Sequence, residues 1–95
     1  MAIAVHIENI PNTDARTAYE AGWQQLNEKG ARDPVGRQSH TAWIVGDVLH
    51  VLDVWDSQEH LDAGMQIIGP VIEQAGMALA GPPKIGEVLQ VITPR

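Results

Sequence analysis

Between Gln38 and Met65 the hydrophobic period of the chain changes. Up to Trp55 it is about 2 residues, and from near Asp56 it is about 3.6, so a strand pair gives way to a helix. In the first strand Ala42 and Ile44 share one face and Thr41, Trp43 and Val45 the other. The second strand, Val48 to Trp55, is apolar on both faces. Gly46-Asp47 lies between them, and a Gly-led pair of turn residues predicts a tight hairpin. A two-residue turn sets the register: Val45 faces Val48, Trp43 faces His50 and His40 faces Asp53. Cross-strand partners lie on one side of a sheet. One face therefore carries His40, Ala42, Ile44, Leu49, Val51, Asp53 and Trp55, the other Thr41, Trp43, Val45, Val48, His50, Leu52 and Val54. A helix can cover only one of these faces.

The same patterning runs through the rest of the chain. Ala2 to Glu8 alternates Ile3, Val5 and Ile7 against Ala4, His6 and Glu8, which predicts a strand with one buried face. Asn9 to Thr13 is a loop with Pro11, and Asn12 or Thr13 caps the next helix, with Asp14 in its first turn. Ala15, Tyr19, Gly22, Trp23 and Leu26 recur at helical spacing, and Lys29-Gly30 suits the helix end. Ala31 to Arg37 reads as a polar loop. Ser57 is a good N-cap for the second helix, with Glu59 in its first turn and Leu61, Met65 and Ile68 as its stripe. Gly69-Pro70 is expected to interrupt that helix at Ile68, before a second short apolar stripe from Val71 to Leu79. Gly81-Pro82-Pro83 ends that segment, and Lys84 to Thr93 reads as a last strand. The order is β-α-β-β-α-β, an α+β, ferredoxin-like arrangement with an antiparallel sheet, in a single domain over 1–95.

The run Val51-Leu52-Asp53-Val54-Trp55-Asp56-Ser57-Gln58-Glu59, followed by a helix, resembles the antibiotic-biosynthesis-monooxygenase-like family. The pattern continues through Gly69-Pro70-Val71-Ile72, Ala75-Gly76 and Pro82-Pro83. The resemblance implies a dimeric α+β barrel, in which two sheets pack face to face in a homodimer. It implies a ligand pocket between the sheet and helices of each subunit. It also implies cofactor-free oxidation of aromatic compounds, with a protein base or hydrogen bond that helps form the reactive substrate anion.

Composition and charge narrow the alternatives. The net charge is −6, and no Lys or Arg occurs between Arg37 and Lys84. Nucleic acid and anionic membranes call for a basic footprint, so neither is expected as a partner. The chain has no cysteine, which removes disulfides, thiolate metal sites and thiol nucleophiles. The N-terminus lacks the basic start and apolar run of a signal peptide, so the expected location is cytoplasmic.

Two constellations carry candidate chemistry. His40 opposite Asp53 is the first: a carboxylate beside an imidazole fixes its tautomer, and such a pair can abstract a proton from an activated carbon or phenol. The other reading is a hydrogen-bonded pair that anchors the hairpin end. Trp23, Tyr19 and Met65 from the helices, with Trp55, are the expected apolar walls for a small hydrophobic or aromatic ligand. Trp43 opposite His50 is the second constellation, either lining a flat pocket or packing at a dimer interface. His6 either lines the site or caps the barrel edge, and His60 is expected to be exposed. The histidines at 6, 40, 50 and 60 show no tight two-ligand spacing, so no metal is expected. No glycine-rich nucleotide loop follows a strand, and no inward helix position offers a haem ligand. No cofactor is therefore expected. Two functions remain: a cofactor-independent enzyme, monooxygenase-like or an isomerase or cyclase, and a non-catalytic ligand-binding or stress-associated dimeric barrel.

Overall fold

The computed structural model describes residues 1–92. Its elements run β1 (Ile3–Pro11), α1 (Ala15–Glu28), β2 (Arg37–Val45), β3 (Val48–Trp55), α2 (Gln58–Gln74), β4 (Met77–Leu79) and β5 (Lys84–Glu87). All strands join one antiparallel sheet in the order β2-β3-β1-β4, and β5 also pairs with β1. This is the α+β, ferredoxin-like arrangement that the hydrophobic period predicts.

The hairpin has the register set by its turn. Val45 pairs with Val48, Trp43 with His50 and His40 with Asp53. Gly46 has φ +59°, a conformation that costs glycine little. Beyond His40 the ladder slips by one residue at Gln38, so Arg37 pairs with Trp55 and Ser39 with Val54. A bulge of this kind changes which face the preceding residue takes. Arg37 therefore joins the inner face with Trp55, where an unbroken ladder would send it outward.

The core lies between that inner face and the two helices. Ile3, Val5 and Ile7 of β1 pack with Trp55, Leu26 of α1 and Leu61, Ile68 and Val71 of α2. Trp55 has 0% of its surface exposed. Gly64 of α2 lies against the outer end of its ring, and a Cβ there would collide with the indole. The glycine thus lets the helix descend onto the tryptophan.

Four local expectations change. Helix α2 runs through Pro70 to Gln74 rather than breaking at Gly69-Pro70. Its buried stripe of Leu61, Gly64, Ile68 and Val71 crosses the proline, and tertiary packing outweighs the lost hydrogen bond. Asp14, not Asn12 or Thr13, caps α1, and its Oδ2 accepts from the Thr17 amide and hydroxyl, each at 3.1 Å. Strand β1 continues to Pro11 because β4 pairs with Asn9, Ile10 and Pro11. After α2 come two short strands: Met77–Leu79, expected as the end of the second apolar stripe, is β4, and the strand expected from Lys84 to Thr93 is β5 over Lys84–Glu87 only. Gly81-Pro82-Pro83 separates them, since proline gives a ladder no N–H. Thr93, the expected end of that strand, lies outside the described residues.

Among the described residues no helix covers the opposite face of the sheet. Trp43, Val45 and Leu52 are exposed there. Among the described residues no helix is long and apolar enough to cross a membrane.

Candidate functional site

The inner face of the hairpin and the helices enclose a cavity of about 60 Å3. His40 and Asp53 lie in its wall with Tyr19 and Trp23 of α1 and Met65 of α2. Spacing explains the roof: Tyr19 and Trp23 are one helical turn apart on the face that α1 turns inward. Trp55 does not line the cavity. It has the same strand parity as His40 and Asp53, but Gly64 and the core seal its ring away from the space. The expectation that it forms a ligand wall is therefore corrected.

The polar groups form one chain. The Tyr19 hydroxyl is 2.8 Å from His40 Nε2, and His40 Nδ1 is 2.6 Å from Asp53 Oδ1. Asp53 Oδ2 lies 3.8 Å from the Arg37 guanidinium. Both charged side chains of that pair are buried, Arg37 at 8% exposure and Asp53 at 9%. A carboxylate only accepts, so His40 donates from Nδ1, and in the neutral ring Nε2 carries the lone pair. Tyr19 then donates its hydroxyl proton to Nε2. The base nitrogen of His40 thus points at a phenol, or at whatever replaces that phenol.

Arg37 also donates to the Arg32 carbonyl at 2.8 Å and lies 5.9 Å over the Trp55 ring. Charge compensation by Arg37 is what allows Asp53 to sit buried beside an imidazole. Tyr19 titrates above its ordinary value. Burial is the main cause, opposed by the positive charge of Arg37 and reinforced by the negative charge of Asp53. At neutral pH Tyr19 is a donor and not a phenolate.

The aromatic rings are stacked. Trp23 lies 5.6 Å from the His40 ring at 14°, and Tyr19 lies 6.2 Å from Trp23 at 11°. Flat walls next to a basic nitrogen suit a planar guest. One wall residue is polar and unpaired: Asn9 of β1 is 2% exposed and lines the cavity, and its Oδ1 has no hydrogen-bond partner among the described residues. A ligand N–H or O–H is the partner that oxygen lacks.

Sequence reasoning missed Arg37 and Asn9. Arg37 reads as the end of a polar loop because the bulge at Gln38 leaves no periodic trace. Asn9 reads as a turn former, although it occupies the next inward position after Ile3, Val5 and Ile7. His6 and His50 point to the open face, away from the cavity, so His6 does not line this site. His60 is half-buried rather than exposed. Its Nδ1 is hydrogen-bonded to the Ser57 hydroxyl at 2.7 Å, and its ring packs on Gly36.

No protein-family model and no curated protein matches the sequence. Solved structures do match in shape. Rv0793 from Mycobacterium tuberculosis is 21% identical with a TM-score of 0.71, over 98% of this chain and 100% of that one. SnoaB from Streptomyces nogalater, described as a cofactor-independent oxygenase, is 13% identical with a TM-score of 0.67, over 96% of each chain. A candidate antibiotic biosynthesis monooxygenase from Chloroflexus aurantiacus is 16% identical with a TM-score of 0.61, over 96% of this chain and 97% of that one. The chain has the antibiotic-biosynthesis-monooxygenase-like fold. At these identities the likeness is one of fold, and the chemistry has to be argued from the cavity.

Proposed function

We propose that the chain is a cofactor-independent small-molecule enzyme, in which His40 removes a proton from a phenol or enolisable carbon. The observation that carries this reading is the continuous chain from Tyr19 through His40 and Asp53 to Arg37 in an apolar wall. In the resting site Tyr19 occupies His40 Nε2. A substrate O–H or activated C–H takes that place, Nε2 accepts its proton, and Asp53 stabilises the imidazolium. Tyr19, released from His40, can donate to the developing oxyanion. Asn9 Oδ1 accepts from a second polar group of the substrate. An anion of this kind can pass its electrons to molecular oxygen, the reaction class that the description of SnoaB names for that protein.

Cavity size constrains the substrate. A volume near 60 Å3 holds a few water molecules, against roughly 300–1,000 Å3 for a pocket that takes a drug-sized ligand. A ring system enters only when the half-buried side chains of Met65 and Trp23 swing outward. The same small volume favours the second reading, a binding protein without turnover.

A small ketone such as 2-indanone separates the two. On the enzymatic reading the protein accelerates exchange of its CH2 protons with deuterated solvent. His40→Ala then lowers the rate by about 100-fold or more while the melting transition persists. Binding of 2-indanone without protein-dependent exchange supports the non-catalytic reading. Oxygen uptake in the same sample reports whether the anion goes on to oxidation.

The exposed apolar side chains Trp43, Val45 and Leu52 support a homodimer with open faces packed together. Sedimentation is expected to give twice the chain mass at micromolar concentration, and a stable monomer would remove this assembly.

A further inference from the structure

We propose that His6, Glu8 and His50 form a binding site for a divalent transition-metal ion on the open face of the sheet. This goes beyond the proposed proton chemistry, which uses the other face. His6 and Glu8 are two residues apart on β1, so they project to the same side. The β1–β3 pairing places Glu8 directly opposite His50, and β2 places Trp43 on the far side of His50. Three ligands, with His6 and His50 separated by 44 positions in sequence, thus meet at one spot.

The distances suit a metal. His6 Nε2 and His50 Nδ1 are 3.1 Å apart. Glu8 Oε1 lies 3.8 Å from His50 Nδ1 and 4.0 Å from His6 Nε2. Zinc-like ions hold nitrogen at about 2.0–2.1 Å and carboxylate oxygen at about 2.0–2.2 Å, so tetrahedral donors lie roughly 3.3 Å apart. The two nitrogens are already at that spacing. The carboxylate closes the remaining gap by a rotation of the partly exposed Glu8 side chain.

The imidazoles are also held in place. Trp43 stacks on His50 at 5.1 Å and 11° and on His6 at 5.7 Å and 16°. In the metal-free state the two facing nitrogens share a single proton. Metal binding moves that proton to the other nitrogen of one ring, without changing the charge of either. The ligands cover one side of the ion and leave a further coordination position free. A groove lined by Gly81, Pro82, Pro83 and Lys84 adjoins His6 and Glu8 there. Two imidazoles and one carboxylate select ions such as Zn2+, Co2+, Ni2+ or Cu2+ over Mg2+ and Ca2+. In the proposed dimer this face meets a second copy, so the free position is also open to a donor from that copy.

Untagged full-length protein, stripped with a chelator, is the material for the test, with Co2+ and Zn2+ as probes. One equivalent per chain is expected, with micromolar or tighter affinity and visible Co2+ bands of low-coordinate type. His6→Ala and His50→Ala should each weaken binding beyond the roughly 10–100-fold that loss of an outer-sphere partner costs, and Glu8→Gln should alter the Co2+ spectrum. His60→Ala should bind as wild type. Should a ligand variant fail to fold, Co2+ broadening of histidine NMR signals in the wild type still decides. Broadening at His6 and His50 supports the site. Broadening confined to His40 or His60 overturns it, as does binding only at millimolar metal or affinity unchanged in the ligand variants.

Discussion

Asp53→Ala is expected to lose roughly 3–5 kcal/mol of stability, because it strands a buried guanidinium. Arg37 has 8% of its side chain exposed and faces Asp53 Oδ2 at 3.8 Å. Its second contact, the Arg32 carbonyl, is neutral and cannot offset the charge. His40 loses its acceptor at Nδ1 in the same step, so its tautomer is no longer set. The double variant Arg37→Met, Asp53→Ala should recover part of the loss, since an apolar pair of similar volume leaves no uncompensated charge. Chemical denaturation of the four proteins in this cycle measures the coupling. An Asp53→Ala protein within about 1 kcal/mol of wild type would show that the buried pair contributes little.

Trp55→Ala is expected to lose a similar amount, about 3–5 kcal/mol, for an apolar reason. The ring is fully enclosed, Gly64 lies against its outer end and Arg37 lies over it. Alanine leaves a void that α2 cannot collapse into without moving the roof of the cavity. Trp55→Phe should cost much less. It keeps most of the ring volume and removes an indole N–H that has no partner among the described residues. In a domain of this size a loss of 3–5 kcal/mol lowers the melting temperature by more than about 12 °C. Thermal melts of the two variants therefore separate them clearly, and equal melting temperatures would refute the packing argument.

The parts of this molecule that local pattern encodes were legible in the chain. The Gly46-Asp47 turn sets the His40–Asp53 pair because side chains alternate with period two and the turn counts from a known origin. The 3.6-residue stripe brings Tyr19, Trp23 and Met65 over that pair. What escaped was anything that depends on depth or on distant pairing. Trp55 shares a face with His40, yet only the close approach of Gly64 shows that it is sealed. His6 and His50 meet through the β1–β3 register, which no turn sets, so histidine spacing along the chain carries no trace of it. The inner end of β1 was truncated in the same way, because Asn9 and Pro11 join a ladder whose partner strand lies about 70 residues away.

The bulge at Gln38 makes chain length, rather than residue type, the carrier of information at the cavity. Deleting a single residue there would keep Tyr19, His40 and Asp53 in name and in place. Arg37 would rotate to the outer surface, and the buried carboxylate would face no cation. Two homologous chains with the same four side chains could then differ in the charge state of their interiors through one lost codon. In this fold, gaps before the hairpin deserve the weight usually given to substitutions within it.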